Sequence, residues 1–506
     1  MPCTLAVFPR EPADTRASAQ SRPVYRPRKP EASPLWQLVT NHAHIFLHLY
    51  DDRYAPRYGP LRAVVPRALE SFQRCGILAH GFARVRCPDC RHEYLLAFSC
   101  KQRCLCPSCH AKRQAAFGEL VTEETEEILE SVPHRHVVIS LPRRLWPFFR
   151  RRKRLTRLAR LAYETLKELL QAAAGTRTAV PGAVACVQSA GSLLDWHPHV
   201  HLLISWGLFR RDGSFIPVAG TPDPETLARL FRHKVLRMLL EEGAIEEGVV
   251  RHLLAWPHTG FGAHVSREIP ADAKTPGAIA RYMTRPPITP ERILGEASSA
   301  QIIYRSDAVH PRHQANFRVF DPLDFLAEVS AHIPDPHEKT TLFYGWYSNR
   351  TRGYRKQHGL LANAEAPDPV PGTDHRAPLE VRRSWARLIR QVYEVDPLLC
   401  PQCGGTMKVI AVIERPAVIR QILEHLGLST AAPSFRAPPD PPDGRGADPP
   451  REWSYELLFD DLPIPDPACL PAGRCSYSRG RCAGLSRLIF PCLKTRKIPL
   501  DPPLRW

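Results

Sequence analysis

Trp196-His197-Pro198-His199-Val200-His201-Leu202-Leu203-Ile204-Ser205 is the stretch on which the fold and chemistry of this chain turn. In an extended strand, residues i and i+2 share a face, about 6.5–7 Å apart. His199 and His201 therefore project together, and Val200 packs on the opposite side. The run Leu202–Ile204 anchors the strand in a core and leaves the imidazoles near its open end. Two imidazoles leave room for a third protein ligand, a substrate oxygen and water, an arrangement suited to a divalent ion acting on a phosphate. Gln188, Asp195 and His264 are candidates for the third ligand, and the sequence does not choose among them. His197 is in phase but lies across Pro198. His134-Arg135-His136 has the same spacing with a charged middle residue, and reads as structural or phosphate-facing. An isolated triplet of this kind is equally compatible with an exposed strand edge carrying two solvated histidines; its neighbours give it weight.

Working outward, His136–Leu141 reads as a buried strand closed by Pro142. A long basic helix follows from about Arg150 to Ala174, and Ala183–Ser189 is a further strand. Asp223 caps a helix with Pro224 at its first position, Leu227, Leu230, Phe231, Val235 and Met238 as its apolar stripe, and Gly243 at its end. Leu253–Trp256 and Gly262–Val265 read as short strands. This order predicts an α+β palm between residues 132 and 300, an antiparallel sheet with helices on one face.

Downstream, the segment from Thr275 to Pro287 reads as a short helix capped by Thr275 and stopped by Pro286 and Pro287. Ile279 and Met283 would face the core, with Tyr282 at the edge of that stripe between Arg281 and Arg285. A phenol, with its ordinary pKa of about 10, is a poor nucleophile at neutral pH. A metal that polarises phosphorus and cations that stabilise the phenolate change that. A tyrosine on an amphipathic helix is ordinarily a packing residue; the histidine strand upstream makes Tyr282 a candidate nucleophile.

Cys87-Pro-Asp-Cys90 and Cys106-Pro-Ser-Cys109 are two CxxC knuckles, the pattern by which two tight loops close a tetrahedral zinc site. The sequence thus predicts one structural Zn2+ held by Cys87, Cys90, Cys106 and Cys109. Cys75, Cys100 and Cys104 are extra, either reduced spectators or ligands of a second ion with His80, His92 or His110. Cys400-Pro-Gln-Cys403 is a further knuckle with no second pair nearby, half a site that His425 or a distal cysteine would complete.

The 506 residues carry 69 Lys and Arg against 51 Asp and Glu, a formal charge of +18 that points to a polyanionic partner. The run Arg150-Arg151-Arg152-Lys153-Arg154 is a candidate phosphate track, with a solvated helix face as the plain alternative. Aromatics in Phe343-Tyr344-Gly345-Trp346-Tyr347 could stack unpaired bases, though core packing is the simpler role. No apolar run is long enough for a membrane span, and the start lacks a secretory pattern. The cysteines fall in knuckles, which favours zinc over disulfides.

Together, VRCPDC…FSCKQRCLCPSC, VPHRHVVISLP, HPHVHLLIS, WPHTGFGAHV, ARYMTRPP, FRVFDPLDFLAEVSAHIP, YGWYSNRTRG and DPLLCPQCGG…IERPAVIRQILEHLGL resemble the HUH-superfamily rolling-circle transposases of the insertion-sequence ninety-one group, over residues 35 to 428. The resemblance implies a ferredoxin-like α+β palm that nicks one DNA strand. His199 and His201 would hold Mg2+ or Mn2+, and Tyr282 would form a 5′-phosphotyrosine intermediate. It also implies single-stranded or hairpin DNA at element ends, target DNA and the host replication machinery as partners, with no membrane, in the bacterial cytoplasm and nucleoid. Some relatives carry a second tyrosine one turn earlier; here that position is Ala278, so the chain resembles the single-tyrosine kind. The last 40 residues do not resemble the family's ending. The organisation expected is a disordered basic start (1–33), a helical zinc-binding and DNA-binding domain (34–120), the catalytic palm (132–330) and a basic-aromatic extension (331–361). A linker (362–380), an α-rich C-terminal CxxC module (381–428) and a Pro-rich tail (429–506) follow. A plasmid replication initiator or relaxase, or a non-catalytic zinc-dependent DNA-binding protein, are the competing readings.

Overall fold

The computed structural model describes residues 28–122, 128–256, 260–269, 274–295, 301–310, 314–360 and 397–430. The expected disordered start (but for its last six residues), the linker 362–380 and the tail beyond 430 lie outside the described residues.

The N-terminal part runs through α1 (Pro34–His48), α2 (Ala55–Tyr58) and α3 (Val64–Arg74), the hairpin β1 (Phe82–Arg86) and β2 (Glu93–Ala97), and α4 (Pro107–Thr122). The palm follows as β3 (His134–Ser140), α5 (Lys153–Ala173), β4 (Gly182–Ala190), β5 (Trp196–Ser205), the small ribbon β6 (Gly207–Phe209) and β7 (Phe215–Pro217), α6 (Pro224–Glu241), α7 (Glu247–Leu254), β8 (Gly262–Val265) and α8 (Lys274–Met283). Then come β9 (Ile293–Leu294), β10 (Ile302–His310), β11 (Ala315–Phe320), α9 (Pro322–His332), β12 (Thr341–Gly345), α10 (Asn349–Gln357), β13 (Lys408–Ile413) and a last helix, Pro416–His425.

The central sheet has the order β12-β4-β5-β3-β8, with every pairing antiparallel. Its core, β3-α5-β4-β5-α6-β8, is the split βαβ arrangement of ferredoxin-like folds. β12, from the stretch expected to be an extension beyond the palm, completes the sheet at the β4 edge. Asp223 starts α6 as its sequence dictates, accepting from the Glu225 and Thr226 amides with Pro224 behind it.

Alternation decides which side chains go where. Val137, Ile139, Ala183, Ala185, Val200, Leu202 and Ile204 face Leu158, Ala162 and Leu166 of α5 and Leu227, Phe231 and Val235 of α6. The histidine face is not open, which corrects the expectation of helices on one side only. Val184, Cys186 and Leu203 lie on that face, and α4 and α8 cover them with Phe117, Val121, Ala280 and Met283. Apolar strand residues on both faces require a layer on each. Leu253 belongs to the end of α7 rather than to a strand; apolar residues at 249, 250, 253 and 254 follow the helical period.

The remaining core joins α1 and α3 to the later part of the chain. Leu35, Leu38, Phe46, Leu69 and Phe72 pack with Tyr304, Phe325, Leu326 and Val329. A second three-stranded sheet, β13-β1-β2, pairs residues near the start with residues 408–413.

Candidate active site and cysteine clusters

The β3–β5 register sets Val138 opposite His201 and Ser140 opposite His199, so His136 falls on the same face as the predicted pair. Successive ring centroids lie 4.9 Å apart for His197 and His199, 5.0 Å for His199 and His201, and 5.1 Å for His201 and His136. The Tyr282 ring stands 5.8 Å from that of His201 and 6.0 Å from that of His136, edge-on to both. Strand and helix, 81 residues apart, thus bring together the histidines and the tyrosine singled out in the sequence. Tyr282 is 47% exposed and the Arg285 guanidinium sits 5.0 Å from its ring centre.

The imidazoles are set up as neutral ligands. His199 Nδ1 donates to the His197 carbonyl at 2.7 Å, so its Nε2 carries the lone pair. His201 Nδ1 lies 2.9 Å from His136 Nε2. His201 Nε2 is buried and makes no hydrogen bond, the state of a nitrogen that a cation would satisfy. Burial, helped by neighbouring His197, lowers the pKa of His199 to about 4; burial, then His199 and His136, lowers that of His201 to about 2. The residues fit a divalent ion at the His199 and His201 Nε2 atoms.

Of the three candidates for another ligand, Gln188 donates its amide to the Met283 carbonyl at 2.6 Å, which ties the tyrosine helix to β4. Asp195 is buried with Oδ1 making no hydrogen bond, and its charge acts on His199. His264 sits on β8 opposite Val138 and acts electrostatically on His136. Among the described residues, no third His, Cys, Asp or Glu closes a ligand triad around the pair. The sequence reading missed His136. Its H-x-H spacing was visible, but only the strand register shows that it meets His201. His134, the other member of that triplet, is structural: it is buried with Nε2 2.8 Å from the Tyr347 hydroxyl. Tyr304 is buried at 1% exposure and unavailable to a strand.

The zinc-domain helix holds the tyrosine helix in place. Gln114 donates to the Arg281 carbonyl at 2.6 Å and His110 Nε2 meets the Thr284 carbonyl at 2.7 Å. A Cβ on Gly118 would stand 2.7 Å from Arg281 Cγ, so glycine permits the close approach. Arg281 thereby lays its aliphatic stem along α4 rather than flanking Tyr282 symmetrically with Arg285.

The cysteines sort differently from the sequence expectation, and the single site of Cys87, Cys90, Cys106 and Cys109 is corrected. Cys106 and Cys109 join Cys75 and Cys100, whereas Cys87 and Cys90 join Cys400 and Cys403. In the first cluster the Sγ separations are 3.7, 3.8 and 3.7 Å for the pairs 75–106, 75–109 and 100–109. A zinc tetrahedron with Zn–S of about 2.3 Å has edges of about 3.8 Å. The reason for the regrouping is spatial: β1 and β2 carry the first knuckle away on a hairpin, and α4 turns the second knuckle toward the end of α3. Cys104 stays outside both clusters, its amide donating to His110 Nδ1.

The basic run is also divided. Arg151 and Lys153 are exposed. Arg152 is buried in a two-pronged ion pair with Glu338, one prong at 2.9 Å, and Arg154 is buried against Glu242 at 2.7 Å. Arg150 is half-buried over the Tyr58 and Trp196 rings. The run spans the entry into α5, where only Lys153 and Arg154 belong to that helix, and the chain there turns Arg152 and Arg154 inward to Glu338 and Glu242. In the aromatic stretch, Trp346 and Tyr347 are core residues. No helix among the described residues is long and apolar enough to cross a membrane.

Comparison with known proteins finds transposases. Residues 45–141 match the family described as "Transposase zinc-binding domain", and residues 182–355 that described as "Putative transposase". The chain is similar to the transposase for insertion sequence element IS801 of Pseudomonas savastanoi pv. phaseolicola, 28% identical over 421 residues covering 80% of this chain and 94% of the relative. It is also similar to y4qJ of Sinorhizobium fredii, which bears the same description as the second family, 25% identical over 396 residues covering 72% of this chain and 94% of the relative. No solved structure gives a significant match. The chain belongs to the insertion-sequence ninety-one family of transposases.

Proposed function

We propose that this transposase cuts one strand of DNA with Tyr282 as nucleophile. The carrying observation is the Tyr282 ring edge-on to His201 at 5.8 Å, with the Arg285 guanidinium beside it. Tyr282 Oη loses its proton to solvent and attacks phosphorus. The bond from phosphorus to the 3′-oxygen breaks, and that oxygen leaves protonated as a free 3′-hydroxyl that can prime host replication. The 5′-phosphate remains on the tyrosine as an ester, ready for rejoining to a target end. His199 and His201 would hold Mg2+ or Mn2+ through their Nε2 atoms, and the ion would supply Lewis-acid polarisation of the phosphate. His136, through His201 Nδ1, orients the ring that would bind it. Arg285 stabilises charge on the phosphate and phenolate, and its exposed guanidinium can follow the strand. Arg151 and Lys153, the exposed members of the basic run, would contact phosphates.

Cys75, Cys100, Cys106 and Cys109 would hold a structural zinc that would fix the start of α4, the helix on which α8 rests. The substrate class that fits is single-stranded or hairpin DNA at the element's ends.

The test is a denaturing-gel assay with end-labelled single-stranded element-end DNA, Mg2+ or Mn2+, and the full chain. The expected result is a covalent protein–DNA band from the unaltered protein, absent with Tyr282→Phe and with His199→Ala/His201→Ala. A band that survives Tyr282→Phe would transfer the role to another tyrosine. DNA binding without a band under any metal would support a non-catalytic DNA-binding protein instead.

A further inference from the structure

The second cysteine cluster joins knuckles that are more than 300 residues apart. Cys87 Sγ lies 3.5 Å from Cys403 Sγ, and Cys90 Sγ lies 3.4 Å from Cys400 Sγ. All four sulfurs fall within 4.8 Å of one another. These separations are far beyond the roughly 2.05 Å of a disulfide and close to the edge of a zinc tetrathiolate tetrahedron.

The two loops are built alike, which is the independent argument. In the first, the Cys87 amide donates to the His92 carbonyl and the Arg91 amide to the Cys87 carbonyl, with Arg91 in the left-handed region at φ 64°. In the second, the Cys400 amide donates to the Gly405 carbonyl and the Gly404 amide to the Cys400 carbonyl, with Gly404 at φ 75°. Each is a Cys-Pro-x-Cys turn followed by one left-handed residue. Arg91 adopts that conformation although it carries a Cβ, at a steric cost that a closed metal site would offset. The Gly405 amide also points at Cys403 Sγ, 3.4 Å away, as an N–H group stabilising a thiolate would.

The surroundings agree. Val85, Cys87, Cys400 and Met407 form one small buried cluster, and Phe82, Ile419 and Leu423 form another beside it. Neither is large enough to hold a module by apolar burial alone, the circumstance in which structural zinc is used. β13 pairs with β1 between the two clusters.

We propose that Cys87, Cys90, Cys400 and Cys403 bind a second structural zinc ion, distinct from the one at Cys75, Cys100, Cys106 and Cys109, and that this ion fastens residues 397–428 to the β1–β2 hairpin. The C-terminal knuckle is then half of a zinc ribbon whose other half lies in the N-terminal domain.

The test counts thiolate sites in the full-length protein reconstituted with Co2+, using the thiolate-to-cobalt charge-transfer absorption that imidazole sites do not give. Two tetrathiolate sites per chain are expected. Cys400→Ser/Cys403→Ser and Cys87→Ser/Cys90→Ser should each halve the signal, and all four substitutions together should remove no more than either pair. Cys100→Ser/Cys109→Ser should remove the other half. One site in the unaltered protein, or a full signal after Cys400→Ser/Cys403→Ser, would overturn the proposal. Should the variants fail to fold, thiol alkylation of the unaltered zinc-loaded protein decides. Cys87, Cys90, Cys400 and Cys403 should be protected together and become reactive together when zinc is withdrawn. Free reaction of Cys400 and Cys403 in the zinc-loaded protein would reject the site.

Discussion

At the scale of single residues, chemistry and packing compete for the same side-chain types, and burial separates them. Arg152 and Lys153 are neighbours in one basic run, yet one is sealed against Glu338 and the other meets solvent. Removing one partner of a buried ion pair leaves an uncompensated charge, so Arg152→Ala should destabilise the fold by about 3–5 kcal/mol. Lys153→Ala should change stability by less than about 0.5 kcal/mol and instead weaken DNA binding and flatten its salt dependence. Urea denaturation and binding isotherms at several salt concentrations check both; equal destabilisation by the two would refute this division. His136 invites a second prediction. If it orients His201, His136→Ala should lower Mn2+ affinity about 10–100-fold with the fold intact, as read by calorimetric titration. Unchanged affinity would show that the His136–His201 contact is incidental to metal binding.

At the scale of elements, the site depends on one helix resting on another. α8 carries Tyr282, and α4 of the zinc-binding domain supports it through Gln114, His110 and the close approach at Gly118. Gly118→Val would push against the Arg281 stem and displace the tyrosine helix. Small displacements of a reacting group cost up to about 100-fold in rate. The expected outcome is covalent adduct formation slowed by about 10–100-fold, with zinc content and far-ultraviolet circular dichroism unchanged. Adduct formation at the original rate would mean that α8 is held by the sheet alone.

At the scale of the whole molecule, buried neutral histidines make stability depend on pH. His134 and His332 are buried histidines, and burial lowers both to about 4. Both bind protons more weakly folded than unfolded, where the ordinary value is about 6.5. Their contribution is therefore complete above pH of about 6.5 and is lost as the pH falls toward 4, because the unfolded chain takes up protons that the folded one refuses. Stability should drop by roughly 1 kcal/mol per pH unit for each residue in that window. His332→Asn should lessen that slope in chemical denaturation between pH 7 and 4.5; an unaltered slope would show that His332 titrates normally in the fold.

By itself the sequence determined whatever depends on local period and spacing. Alternation along residues 196–205 placed His199 and His201 on one face, Asp223 with Pro224 started a helix where the structure has one, and CxxC spacing marked three knuckles. The family was legible for the same reason, since its motifs are short runs held by local geometry. Tertiary structure decided what depends on which distant segments meet. Strand register brought His136 to His201, and a second helical layer covered the histidine face because Val184, Cys186 and Leu203 needed burial. Ion pairing to Glu338 and Glu242 withdrew two arginines from the surface. The cysteines show the division most clearly. A CxxC turn presents two thiolates wherever it lies, but a tetrahedron needs four, and a pair's partner is chosen by proximity in space. That proximity linked Cys87 and Cys90 to residues some 310 positions away rather than to the knuckle next in sequence.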